Sequence, residues 1–268
     1  MPAAAPEAAA AWPRPGRAWG MVVLLFLAGI CSVIDRSILN MVVDPVRHSL
    51  GIGDAQIALL QGLAFGLFYA FMGVPMGLLA DRVSRKRLLM GGILLWSMAT
   101  IGSGLASSFG HLFIARLLVG LGEAALGPSA ISLIADLFPP ERRGRPISLY
   151  MMGQALAAGL AMAFTGRILS AAAAGSFASW PLLATLPPWR IAFVFAGIIG
   201  LLVVLGMTLT REPPRHQVGP AMPTPTPGES ARWFWDNRAV LAPLYLGFAI
   251  CFVAAYGSAA WQPAMLMR

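Results

Sequence analysis

Four ionisable residues stand inside otherwise apolar sequence: Asp35 and Arg36 in the run from Ala18 to about Val43, and Arg116 and Glu123 in the run from Leu112 to Phe138. An ionised group at the centre of a bilayer costs at least about 2.5 to 3.5 kcal/mol, so four of them need a compensating role. One such role is proton carriage. A carboxylate gives up its proton when an arginine closes on it and takes one when the arginine leaves. The other is recognition of an anion by a guanidinium. Glu123 is the first expectation for proton coupling, with Asp35 behind it. Arg36 and Arg116 are expected to meet the negative group of a substrate or to act as the switching partner. The plainer reading is that the four charges pair off and hold two helices in register.

Spacing places these groups together. Arg116 and Glu123 are seven residues apart and so share one helix face, about 10 Å apart along the axis, with Gly120 between them. Counting back from Phe138 puts Glu123 about 22 Å into its helix, and counting forward from Trp19 puts Asp35 about 24 Å in. Similar depths predict one charge cluster.

The elements that carry the cluster are membrane helices. The 268 residues are 58% hydrophobic and 11% charged, with a mean hydropathy of +0.73, whereas soluble domains carry about 25% charged residues. Uncharged stretches from Ala55 to Ala80, Leu88 to Gly110, Pro146 to Gly166, Ile191 to Thr210 and Ala239 to Met267 each reach the length of a spanning helix. With the two charge-bearing runs they give seven spans. Spans one and four each open a group of three with a charged helix, in keeping with a three-plus-three repeat.

The formal charge of +8 does not mark a nucleic-acid binder, because the arginines lie in short loops between spans. Arg14 and Arg17, the loop Arg82 to Arg87, the loop Arg142 to Arg145, and Arg211, Arg215, Arg232 and Arg238 all fall on one side. Positive-inside counting makes that side, and the N-terminus, cytoplasmic. Cys31 and Cys251 lie in apolar spans, and His48, His111 and His216 are not grouped at bilayer depth, so no metal and no cofactor are expected. Trp12, Trp189, Trp233 and Trp235 are expected as interfacial anchors.

Between spans two and three the sequence reads Gly77-Leu78-Leu79-Ala80-Asp81-Arg82-Val83-Ser84-Arg85-Lys86-Arg87. This ordered pattern resembles the signature of major facilitator superfamily transporters. Gly77 is read as permitting close helix contact, and Asp81, Arg82, Arg85 and Lys86 as a charged cytoplasmic gate. Span four adds Arg116 to Ala124, with Gly122-Glu123-Ala124, and ends in Asp136-Leu137-Phe138-Pro139-Pro140-Glu141-Arg142. Together with Asp35-Arg36, and with Tyr256 and Trp261-Gln262-Pro263 in span seven, these segments resemble the spinster-like branch. The anion:cation symporter branch shares part of the pattern.

The resemblance implies an all-α polytopic membrane protein. The expected layout is a disordered cytoplasmic N-terminus at 1–17, a six-helix N-terminal bundle at 18–210, a cytoplasmic linker at 211–238, and a seventh helix at 239–268 that starts a missing C-terminal bundle. It also implies a secondary transporter that moves a small organic or lipid-like, anionic solute by alternating access with proton coupling. The expected location is a bacterial inner (plasma) membrane, and the expected partners are the bilayer, protons, the substrate and the second half of the same protein. Asp136, Glu141 and Arg142 are read as latch or loop-pairing residues.

A non-transporting scaffold or degenerate half-transporter is the alternative. An intramembrane enzyme is a distant third. Its prompt, Gly127-Pro128-Ser129-Ala130, lacks the second glycine of a nucleophile turn, and no histidine follows in a later span.

Overall fold

The computed structural model describes residues 12–181, 183–216 and 226–266; within the last helix, the side chains of 252, 253 and 255–266 lie outside the description. The expectations for residues 1–11, for the middle of the linker at 217–225, and for the side chains of Tyr256, Trp261, Gln262 and Pro263 therefore lie outside the described residues. The chain forms two compact units, residues 1–216 and residues 217–268.

Among the described residues of the first unit, helices long and apolar enough to cross a membrane occur six times. They are α1 (Pro15–Met41), the pair α3 (Asp54–Gln61) and α4 (Phe68–Arg82), α5 (Arg85–Leu105), the pair α6 (Phe109–Glu123) and α7 (Leu126–Leu137), α8 (Gly144–Ala173) and α9 (Pro188–Thr208). A short α2 (Val43–Leu50) turns the chain after α1, and Arg47 joins it to the start of α3 through Asp54 at 2.9 Å. Pro15 and Pro188 open α1 and α9 where a missing N–H costs nothing. Ser84 and Ser108 cap α5 and α6 by accepting from the N–H of Arg87 and His111.

Two of the six spans are interrupted. Between α3 and α4 a π-helical turn covers Leu63–Leu67. The fourth span breaks at Ala124–Ala125, directly after Glu123. Pro128 supplies the cause: it has no N–H for the carbonyl of Ala124, so the ladder loses a rung there. The Gly127-Pro128-Ser129 segment thus reads as a helix break.

Helix α1 packs on α8 and α9, and α5 packs on α9 and α6. In lipid the close approach of backbones must supply the contact energy, and small residues permit it. Gly92 of α5 and Gly122 of α6 face each other so closely that a Cβ on either would lie 2.6 Å from the other's carbonyl oxygen. Gly197 of α9 abuts the carbonyl of Ser97 in the same way. At Gly77 of α4 a Cβ would meet nothing within 4 Å among the described residues, so the close helix contact read from the sequence is not made there by these residues.

The apolar core is divided into two clusters. One gathers Met21, Leu25, Cys31, Trp96, Val119 and Leu133; the other gathers Ile34, Ile38, Leu39, Leu112, Trp189 and Phe193. Trp189 is thus a core residue, 2% exposed and edge-on to Phe193, where the sequence suggested an interfacial anchor.

In the second unit, α10 (Pro227–Asp236) precedes α11 (Arg238–Leu266), which is 29 residues long. Part of the segment read as linker is therefore helical. Thr226 and Glu229 form the reciprocal box that starts α10, with Pro227 in its first turn.

Candidate functional site

The seam between the two apolar clusters is the level of the buried charges. Along α1 the first cluster ends at Cys31 and the second begins at Ile34; along α6 the boundary falls between Leu112 and Val119, and on α5 it falls between Ala99 and Ala106, the residue that caps the helix. Arg116 and Thr100 are buried within these boundaries and Asp35 directly after Ile34, while Glu123, also buried, lies one turn past Val119 on the first cluster's side and is tied to the seam through Ser32 and Arg36.

The four charges divide into two arrangements. In the first, Arg36 Nε donates to Glu123 Oε2 at 2.6 Å, and Ser32 Oγ donates to the same oxygen at 2.8 Å. Arg36 Nη2 also reaches Ser32 Oγ at 3.1 Å. The π-helical turn brings Phe65 beside Arg36, so that the guanidinium lies 4.9 Å from the Phe65 ring centre and 4.7 Å from that of Tyr69. The pair is lopsided: the Glu123 side chain is 0% exposed and that of Arg36 is 36% exposed. Glu123 Oε1 has no hydrogen-bond partner among the described residues.

In the second arrangement, Thr100 Oγ1 donates to Asp35 Oδ2 at 3.2 Å, while Asp35 Oδ1 has no partner among the described residues. Arg116 Nη1 donates to the backbone oxygen of Asp35 at 3.1 Å, not to its carboxylate, and Arg116 lies 5.6 Å from the ring centre of Phe193. Consecutive helical residues diverge by about 100°, which is why Asp35 turns to α5 while Arg36 turns to α6 and Tyr69.

A second cluster holds the end of the bundle where the basic loops lie. Arg85, buried at the start of α5, pairs with the carboxylate of Asp136 at the end of α7, donates to Ser132 Oγ at 3.2 Å, and approaches Glu212 Oε1 at 3.5 Å. Glu212 also accepts from the Arg85 backbone N–H at 2.8 Å and from Ser84 Oγ. The backbone N–H of His216 donates to Asp136 Oδ1 at 2.8 Å, and its ring stacks on Trp12 at 3.8 Å. Lys86 Nζ donates to the carbonyl of Thr210, and Arg215 donates to the carbonyls of Ala80, Asp81 and Val83.

Asp81, in the last turn of α4, is exposed, and among the described residues its carboxylate makes no side-chain hydrogen bond or ion pair; the carboxylates that meet arginine are Asp136 and Glu212. Arg82, Glu141 and Arg142 are exposed as well.

Ser32, Thr100, Phe65, Tyr69, Glu212 and Arg215 join the two clusters without having been singled out from the sequence. Ser32 had a signal, since it lies one helical turn before Arg36.

The sequence profile described as Major Facilitator Superfamily matches residues 25–268. The chain is 30% identical over 256 residues to an MFS-type efflux pump of Mycolicibacterium smegmatis, covering 95% of this chain and 56% of the relative. It is 32% identical over 262 residues to protein spinster homolog 1 of Homo sapiens, covering 95% of this chain and 47% of the relative. It is 26% identical to a probable L-galactonate transporter of Escherichia coli strain K12, covering 91% and 53%. The chain thus spans about half the length of the curated relatives it matches. Among solved structures, it matches a bacterial homologue of the human lysosomal transporter Spinster in an inward-facing, unoccupied conformation, with a TM-score of 0.76 and 34% identity, covering 96% of this chain and 56% of the other.

Proposed function

The chain belongs to the Major Facilitator Superfamily and is spinster-like in sequence and fold, and from that premise we propose that it forms one wall of a secondary active transporter for a small organic or lipid-like anion, driven by protons. It is an integral membrane protein of a transporter family, not an enzyme. The observation that carries the proposal is the lopsided pair: Arg36 is the partly exposed partner of a fully buried Glu123. An anion approaching from the exposed side meets Arg36 first and competes with Glu123 for it. A carboxylate that loses its arginine in a dry site takes a proton. Substrate arrival and protonation of Glu123 are then one event. Asp35, held by a single hydroxyl, is the second carboxylate able to carry the proton.

The Arg85, Asp136 and Glu212 cluster is the proposed gate element, with Gly77, Asp81, Arg82 and Lys86 in its surroundings. The basic end is proposed to face the cytoplasm of a bacterium. The substrate is tested by thermal shift on the protein carrying both halves of the fold. Stabilisation by a lysophospholipid favours a spinster-like amphiphile, and stabilisation by a hexonate or hexuronate favours a sugar acid. No shift with any anion, together with no proton-driven uptake into proteoliposomes, supports the non-transporting scaffold instead.

A further inference from the structure

A cavity of about 860 Å³ lies at the basic end of the first unit, outside both charge clusters. It is lined on one side by the segment that enters α1, with Trp12 and Trp19, and on the other by the turn from α7 into α8, with Glu141, Arg142 and Arg145. Its apolar lining includes Ala18, Leu137 and Phe138, which are buried, and Trp19 stands edge-on to Phe138 at 5.5 Å. Among the described residues, the side chains of Arg142, Arg145 and Glu141 make no hydrogen bond or ion pair with the protein.

We infer that this cavity is a binding site for one anionic phospholipid of the surrounding leaflet, with the headgroup phosphate on Arg142 and Arg145 and the glycerol and upper acyl carbons on the tryptophans. Several observations select a membrane lipid. The volume suits a molecule the size of a headgroup and its linkage. The two guanidiniums outnumber the one carboxylate and are free to take a phosphate as a fork. The lining is apolar and aromatic next to the cations, which matches an amphiphile and leaves a small hydrophilic anion half unserved. The site also lies beside the ends of α1, α7 and α8, where spanning helices meet the headgroup layer, the depth at which tryptophan and basic pockets meet lipid.

The cavity is also connected to the gate cluster. Trp12 forms part of its wall and stacks on His216, whose backbone N–H holds Asp136, and Asp136 holds Arg85. A lipid that fixes Trp12 therefore steadies residues 212–216, which reach the Arg85 cluster through Glu212 and His216.

The test is thermal melting of the purified chain in a neutral detergent with added dioleoylphosphatidylglycerol, dioleoylphosphatidylcholine or glycerol 3-phosphate. Phosphatidylglycerol is expected to raise the melting temperature by several degrees more than phosphatidylcholine, and Arg142→Ala/Arg145→Ala is expected to lose that excess while Arg211→Ala keeps it. Equal stabilisation by the two lipids, or an excess that survives in the double variant, overturns the proposal. Stabilisation by glycerol 3-phosphate equal to that by phosphatidylglycerol also overturns it, in favour of a soluble phosphate ligand. Should the double variant fold poorly, quenching of tryptophan fluorescence in vesicles containing brominated phosphatidylglycerol decides. Trp12→Phe/Trp19→Phe is expected to remove a quenched component seen with brominated phosphatidylglycerol and weaker with brominated phosphatidylcholine, and no such component counts against the site. These readouts are independent of transport, so their failure leaves the proposed transport function untouched.

Discussion

Arg36 and Glu123, 87 residues apart in sequence, meet at 2.6 Å with one member sealed in the bundle and the other reaching its surface. Glu123→Gln separates the two roles this pair can have. In the protein carrying both halves of the fold, the glutamine keeps the shape and still accepts from Ser32, but it cannot cycle a proton. Accumulation driven by a pH gradient is expected to collapse while substrate exchange without a gradient persists. If the pair is purely structural, the variant instead melts early, by the equivalent of about 3 to 5 kcal/mol, the cost of removing one partner of a buried pair.

Asp35→Asn is expected to cost less than about 1 kcal/mol, because the carboxylate has no ion-pair partner among the described residues and an amide can keep the bond to Thr100. Melting temperature and proton-driven uptake are measured side by side. Near-normal stability with lost accumulation makes Asp35 the proton carrier in place of Glu123; intact accumulation removes it from the coupling step.

Arg85→Ala leaves the carboxylates of Asp136 and Glu212 without their shared cation. A loss of about 3 to 5 kcal/mol in thermal or detergent denaturation is expected. Arg85→Lys keeps the charge but not the fork that reaches several acceptors at once, and should recover less than half of the loss. Full recovery by lysine would mean that charge alone holds this end.

Gly122→Ala and Gly77→Ala, the same chemical change, should have opposite signs. A methyl on Gly122 meets the Gly92 carbonyl at 2.6 Å and forces α5 and α6 apart, so the melting temperature falls. A methyl on Gly77 meets nothing within 4 Å among the described residues, and removing a helical glycine gains up to about 1 kcal/mol. A fall for Gly77→Ala in the isolated chain would show a contact that α4 makes elsewhere.

Orientation is checked by a single cysteine at Arg87, which is exposed, after Cys31 and Cys251 are replaced. With the basic end in the cytoplasm, Arg87→Cys is not labelled by a membrane-impermeant thiol reagent in intact cells. Efficient labelling of Arg87→Cys reverses the orientation.

The spans were readable because each is an uncharged run long enough for a bilayer, and Asp35, Arg36, Arg116 and Glu123 were readable because they interrupt such runs. Which charge meets which was not readable. Similar depth suggested one cluster, but the divergence of Asp35 and Arg36 on α1 sends one to a hydroxyl and the other to Glu123, and depth carries no information about azimuth. Asp81 lay in the motif and is exposed among the described residues, while Glu212 fell in a segment read as linker and closes on Arg85. A carboxylate's partner depends on how α9 ends relative to α5, which no local pattern records. Gly77 and Gly122 look alike in sequence; only the packing of neighbours tells them apart.

The two apolar clusters above and below the charged seam have an electrical meaning. Each is an insulating slab, and the transmembrane voltage falls mainly across such slabs rather than across the polar seam between them. Under the proposed proton coupling, a proton reaching the level of Arg116 and the Arg36–Glu123 pair from either face would cross only part of the field, on the order of half, or about 1 kcal/mol per 100 mV. Loading and unloading would share the work of the membrane potential, and neither half-step would be electrically silent.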